Sequence, residues 1–258
     1  MKLQFAIAAL LPIAAWAAGP FDGTWKTRIE TMQFAGKPDV FELSQGVFKC
    51  GRCAPPYSVK ADGNPQKVSG HSYYDAVRVR VIDDHTVELS NSLNGKPIFG
   101  DLMKVSADGT TLTESLKDMT GALTATGTQV SKRLAAGPAG SHAIAGSWKI
   151  LKVPEASEPA ISVTYRMTTD GLQMTWNGQS YDAKFDGRQY PIANDPGRTV
   201  VSLKRVAGNT IEETDSRDGK VTDIIRMTVS GDGQTMSVVD KDVQRDATSS
   251  YEMARQPR

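Results

Sequence analysis

The sequence is short of the residues that most catalytic and cofactor sites need. Its 258 residues include two cysteines and three histidines. Structural zinc takes four cysteine or histidine ligands in most cases. Cys50 and Cys53 would need two more, and His85 and His142 sit in turn-like and linker-like contexts. There is no Walker loop, dinucleotide fingerprint, His-Glu-x-x-His, EF-hand loop or Gly-x-Ser-x-Gly elbow. No catalytic residue, metal ligand or cofactor is therefore expected, and the chain reads as a non-enzyme. Charge of one sign is missing too. Thirty Lys and Arg face 29 Asp and Glu, with no basic or acidic block. Phosphate binding needs clustered Lys and Arg, so nucleic acid is excluded as a main partner. Helical crossovers of a dozen or more residues are also lacking, which argues against a parallel βαβ sheet. Hydrophobic content of 39% with 23% charged residues is nevertheless globular rather than disordered.

The amino terminus reads as an export signal. Lys2 supplies the charge, Leu3–Ala15 the apolar core and Ala15-Trp16-Ala17 the small-x-small cleavage pattern. That run is too short to span a membrane, and no later run replaces it. Residues 1–18 are read as the signal, cut at about its end, leaving a soluble periplasmic or secreted chain that starts near Ala18 or Gly19. No cysteine lies at the cut, which argues against a lipid anchor there.

The mature sequence is rich in strand and turn signals. Val77, Val79 and Val81 alternate with Arg78 and Arg80, and Val221, Asp223, Ile225, Met227 and Val229 alternate with more polar neighbours. Successive strand side chains point to opposite faces, so this period marks half-buried strands. Asn94-Gly95, Asp108-Gly109, Asp218-Gly219 and Asp232-Gly233 supply the positive φ that tight hairpins need. The pattern repeats. Asp62-Gly63 matches Asp186-Gly187, an offset of 124 (186 − 62), and Gly95-Lys96 matches Gly219-Lys220 at the same offset. Gly23-Thr24-Trp25-Lys26 answers Gly146-Ser147-Trp148-Lys149, one residue off that shift. This is an internal duplication with a domain-sized period. It divides the chain into repeats at 19–134 and 144–258, joined by a small-residue linker at 135–143.

Each repeat thus opens on Gly-x-Trp (Gly23, Trp25; Gly146, Trp148) and closes on an arginine, Arg133 or Arg255. That pairing resembles the lipocalin and fatty-acid-binding-protein (calycin) superfamily. The resemblance implies an antiparallel barrel whose Trp plugs one end while the Arg packs across it. The fatty-acid-binding branch also implies a helical lid and an Arg-x-Tyr pair on the last strand, and neither is found. The whole mature chain also resembles a group of exported bacterial proteins to which no activity is assigned. The residues carrying that resemblance are Tyr181–Gly187, Val201–Arg205, Asn209–Thr214, Asp218–Lys220 and Arg226–Met236. The expected fold is all-β, two tandem lipocalin-like antiparallel β-barrels related by duplication.

The remaining candidates are local. In an exported chain, Cys50-Gly51-Arg52-Cys53 is expected to hold a disulfide. A redox role would need a helix amino terminus, whereas Pro55-Pro56 follows in a β context. His71-Ser72-Tyr73-Tyr74-Asp75 has hydrolase ingredients, but adjacent in sequence, and reads as a loop. Glu212-Glu213 and Asp83-Asp84 are expected to be solvated; neighbours on a strand face opposite ways and cannot share a proton. Tyr57, Tyr73, Tyr74, Trp176 and Tyr181 are candidate ligand contacts, because aromatics with a polar tip suit binding sites; the competing expectation is that they fill the core. The reading these features support is non-catalytic binding of a small apolar or amphipathic molecule. The alternative is an envelope structural or protein-interaction module with solid barrel cores.

Overall fold

The computed structural model describes residues 19–257; the expected export signal, 1–18, lies outside the described residues. The first half contains β1 (Gly23–Gly36), β2 (Asp39–Ser44), β3 (Val47–Cys50), β4 (Tyr57–Lys60) and β5 (Asp62–Lys67). It continues with β6 (Ala76–Asp83), β7 (Thr86–Leu93), β8 (Lys96–Val105), β9 (Thr111–Asp118) and β10 (Ala125–Ala136). The second half has β11 (Gly146–Ala156), a single turn α1 (Glu158–Ile161), β12 (Ser162–Met167), β13 (Gly171–Trp176), β14 (Gln179–Lys184) and β15 (Tyr190–Pro191). It ends with β16 (Val200–Ala207), β17 (Thr210–Arg217), β18 (Lys220–Val229), β19 (Thr235–Asp242) and β20 (Ala247–Arg255).

The duplication is visible strand by strand. β6 to β9 run 8, 8, 10 and 8 residues, and β16 to β19 run the same lengths. Alternation buries Val77 and Val79 in one repeat, Val201 and Leu203 in the other. The expected faces fail in two places. Val81 is 42% exposed because β6 runs on past the core. A bulge opposite Asp215 and Ser216 reverses the phase of β18, so Thr222 turns inward and Val221 outward. Asp218 and Gly219 take φ of 49° and 74°, the tight turn their sequence predicts.

All strands pair antiparallel in two ten-stranded sheets, each curled into a nearly closed barrel. One runs β4-β3-β2-β11-β10-β9-β8-β7-β6-β5, the other β14-β13-β12-β1-β20-β19-β18-β17-β16-β15. The barrels therefore cut across the boundaries 19–134 and 144–258. The opening strand of each repeat completes the barrel of the other. β11 lies between β10 and β2 in the first barrel, and β1 between β20 and β12 in the second.

The segment 135–143 is the cause. Ala135 and Ala136 belong to β10, and the rest turns as a hairpin loop. Gly137 N donates to Ala145 O, Ser141 N to Pro138 O, and His142 N to Leu43 O. This short loop delivers β11 straight onto the free edge of β10, a cheaper closure than bringing back β1 from the start of the chain. The passages between barrels are instead residues 37–38 and 157–161.

Each barrel has one filled end. Trp25 is fully buried and Trp148 is 1% exposed. Their Nε1 groups donate to Phe21 O (2.8 Å) and Ile144 O (2.9 Å). The Arg133 guanidinium lies 4.0 Å over Trp148, and that of Arg255 lies 4.2 Å over Trp25, a favourable cation–π geometry. Arg133 also donates to the carbonyls of Gly109, Ala143 and Ala145, and Arg255 to those of Gly233, Asp22 and Pro20. Each arginine thus meets the tryptophan of the other repeat. Gly146 has φ +142°, and a Cβ there would come 2.4 Å from Ala135 O, so no other residue fits that bend. Gly23 holds the equivalent place at φ +121°.

Candidate functional site

The unfilled ends of the barrels meet, and the cavities lie there. The first, ≈ 580 Å³, sits in the mouth of the first barrel and reaches Arg217, Asp223, Asp242 and Arg245 of the second. The other, ≈ 600 Å³, runs between the barrels beneath Ile29 and Met32 of β1, Val153 of β11 and Ile161 of α1. Leu89, Asn91, Phe99, Asp101 and Leu116 line both.

Of the five aromatic candidates, four line these spaces: Tyr57, Tyr73 and Tyr74 the first, Trp176 the second. Tyr181 lines neither; it is buried in the second barrel, where its hydroxyl donates to Glu213 Oε2 at 2.5 Å. In the first cavity His71 stacks on Tyr74 at 4.4 Å and meets Tyr57 edge-on at 5.7 Å. Burial lowers the His71 pKa, which keeps the imidazole neutral. Burial likewise pushes the Tyr73 and Tyr74 phenols up to about 12.

Tyr73 also joins the barrels. Its hydroxyl is 3.3 Å from Thr199 Oγ1, its ring lies 4.9 Å from the Arg217 guanidinium, and it presses on Gly197, where a Cβ would clash at 2.5 Å. Residue 197 is the position equivalent to Tyr73 in the second repeat, so the two equivalent loops meet. Asn177 makes another joint, exchanging hydrogen bonds with Leu123 through its side chain and accepting from Ala122 N.

Cys50 and Cys53 form the expected disulfide and border the first cavity. Closing so short a loop contributes roughly 2 kcal/mol through the unfolded state. Replacing both with Ser should lower Tm by roughly 4–8 °C with the circular dichroism of the folded chain unchanged. A larger collapse would show that the bridge does more than staple the loop before β4. Among the described residues no three His, Cys, Asp or Glu side chains group as a metal site.

The carboxylates are the group that pattern reading missed. Asp101 and Glu114, on neighbouring strands β8 and β9, point into the first barrel and are hydrogen-bonded to each other. Gln129 Nε2 donates to Glu114 at 2.7 Å, whereas Asp101 Oδ1 is buried and meets no protein donor. In the second barrel Glu213 is buried, contrary to the solvated side chain expected, and pairs with Asp215. Glu212 does face the other way. Burial raises the pKa of all four, which favours the protonated form in each pair. A signal existed: Asp101 keeps phase with the inward Met103 and Val105, and Glu114 with Leu112.

These pairs make stability depend on pH. Asp215 is raised from 3.8 to about 9 and Asp240 to about 6, in both cases chiefly by burial. The folded chain then holds protons that the unfolded chain releases above about pH 4, so their stabilising effect is lost as pH climbs from about 4 towards 9. Urea midpoints should fall between pH 5.5 and 9. Asp215→Asn, which keeps a donor towards Glu213, should flatten that fall; an unchanged slope would show that Asp215 is already ionised in the folded state.

Compared with protein-family models, curated proteins and solved structures, the chain matches none. Among the described residues no helix is long and apolar enough to cross a membrane.

Proposed function

We propose that this is an exported, non-catalytic binding protein that holds a small apolar or amphipathic ligand between two lipocalin-like barrels. The observation carrying this reading is the pair of adjoining cavities with a shared wall. Each lies within the roughly 300–1,000 Å³ of small-molecule sites. The Trp–Arg plugs support the lipocalin likeness, since they fill one end of each barrel and leave the other end open. The alternative module with solid cores fits the filled ends but not the space between them. Native mass spectrometry of the protein purified from cells and then mixed with lipid extract tests the reading. A small-molecule adduct that a Leu89→Trp substitution in the shared wall abolishes is expected; absence of any adduct would sink it. Export is tested separately by amino-terminal sequencing of the secreted or periplasmic chain, which should begin at Ala18 or Gly19.

A further inference from the structure

Charge pairing around the two cavities is uneven. Three arginines border the first, and each lies within 4 Å of a carboxylate: Arg52–Asp39 at 3.8 Å, Arg217–Asp223 at 3.4 Å and Arg245–Asp242 at 3.8 Å, the buried Arg52 Nε making no hydrogen bond. His71 adds no charge. What remains is the Asp101–Glu114 pair, two buried carboxyl groups hydrogen-bonded to each other. Its protein donor is a single neutral amide, Gln129. Bordering the second cavity, Asp118 accepts from Thr120 N and Oγ1 within its own turn, and Lys117 is exposed on β9. Asp240 Oδ1, from the second barrel, is buried and again has no donor. Both orphaned oxygens therefore belong to acids, one from each barrel. A buried acceptor left without a donor is costly unless something supplies one.

The walls around these acids suit the same partner. Tyr57, Tyr74 and Phe41 line the space near Asp101, while Trp176 and Tyr251 line the space near Asp240. Aromatic faces attract cations, and more strongly where water is excluded. Alkyl surface has a place beside them along Ile29, Met32, Val153 and Ile161.

We infer that the ligand of this site is an amphipathic amine, whose ammonium group sits on the Asp101–Glu114 pair and whose apolar chain lies in the adjoining inter-barrel cavity. The inference rests on the binding function proposed above and narrows it to a chemical class. The ammonium donates to Asp101, a carboxyl group with which no arginine of the site pairs.

Three probes that share one chain separate the possibilities: octylamine, octanoate and octanol, titrated calorimetrically at pH 7, where the amine is protonated. Octylamine should bind at least tenfold more tightly than octanoate and more tightly than octanol. Asp101→Asn with Glu114→Gln removes both ionisable groups at nearly constant shape and should abolish that preference, leaving octanol unchanged. Asp101→Asn alone leaves the Glu114 carboxyl group to meet the ammonium and should retain part of that preference. Should the double variant fail to fold, the ranking on the unmodified protein decides. Octanoate or octanol binding as well as the amine overturns the amine class while leaving a binding protein. No binding by any of the three overturns both.

Discussion

Cutting the chain between Ala139 and Gly140 should leave one particle rather than two. The bond lies in the exposed loop after β10, so a protease site inserted there is accessible. Two barrels joined by a tether would separate once the tether is cut. Here the amino-terminal fragment keeps β1, 14 residues long, inside the second barrel, and the carboxy-terminal fragment keeps β11, 11 residues long, inside the first. Separation would strip both barrels of a strand and expose both indole plugs. Each plug buries about 150–250 Å², worth roughly 4–6 kcal/mol at about 25 cal/mol per Å². The joints at Tyr73 and Asn177 add to this. Size exclusion of the nicked protein should give the elution volume of the intact chain until denaturant is added. Elution as two half-sized species in native buffer would mean that the strands are not exchanged.

That exchange marks the limit of what the sequence carries. Strand positions, turns and duplication are written locally: Val77 and Val79 alternate, Asp218-Gly219 turns, and the same features recur 124 residues on. The disulfide follows from two cysteines with no competing partner. Which copy of Gly-x-Trp closes which barrel is not local. Trp25 and Trp148 sit in nearly identical contexts, so either could fill either site. The outcome is decided by how far the loop after Ala136 can reach, and a run of Ala, Gly and Pro looks the same as a tether or a hairpin. The carboxylates escaped for a different reason. Glu213 follows another acid, Glu212, and an acidic side chain is ordinarily solvated. Its environment depends on Tyr181, a residue 32 positions earlier that reaches it only once the barrel has closed. The cavity itself is built from Leu89 and Phe99 of one barrel with Trp176 and Tyr251 of the other. No stretch of sequence contains it.

Trp148→Ala should destabilise the protein by about 3–5 kcal/mol, the cost of emptying a fully packed aromatic site. The loss belongs to the first barrel, although Trp148 lies in the second repeat. Removing the indole also takes away the face over which Arg133 lies. A double-mutant cycle therefore reads the strand exchange directly. Arg133→Ala with Trp148→Ala should show a coupling of about 0.5–3 kcal/mol, as expected for side chains in contact. Arg133→Ala with Trp25→Ala should add to within roughly 0.5 kcal/mol, as for independent sites. Milder Trp148→Phe and Arg133→Lys substitutions give the same comparison if the alanine variants unfold. In a chain whose repeats close on their own first strands, the couplings would trade places, because Arg133 would then cover Trp25. Chemical denaturation of the three single and two double variants measures both couplings.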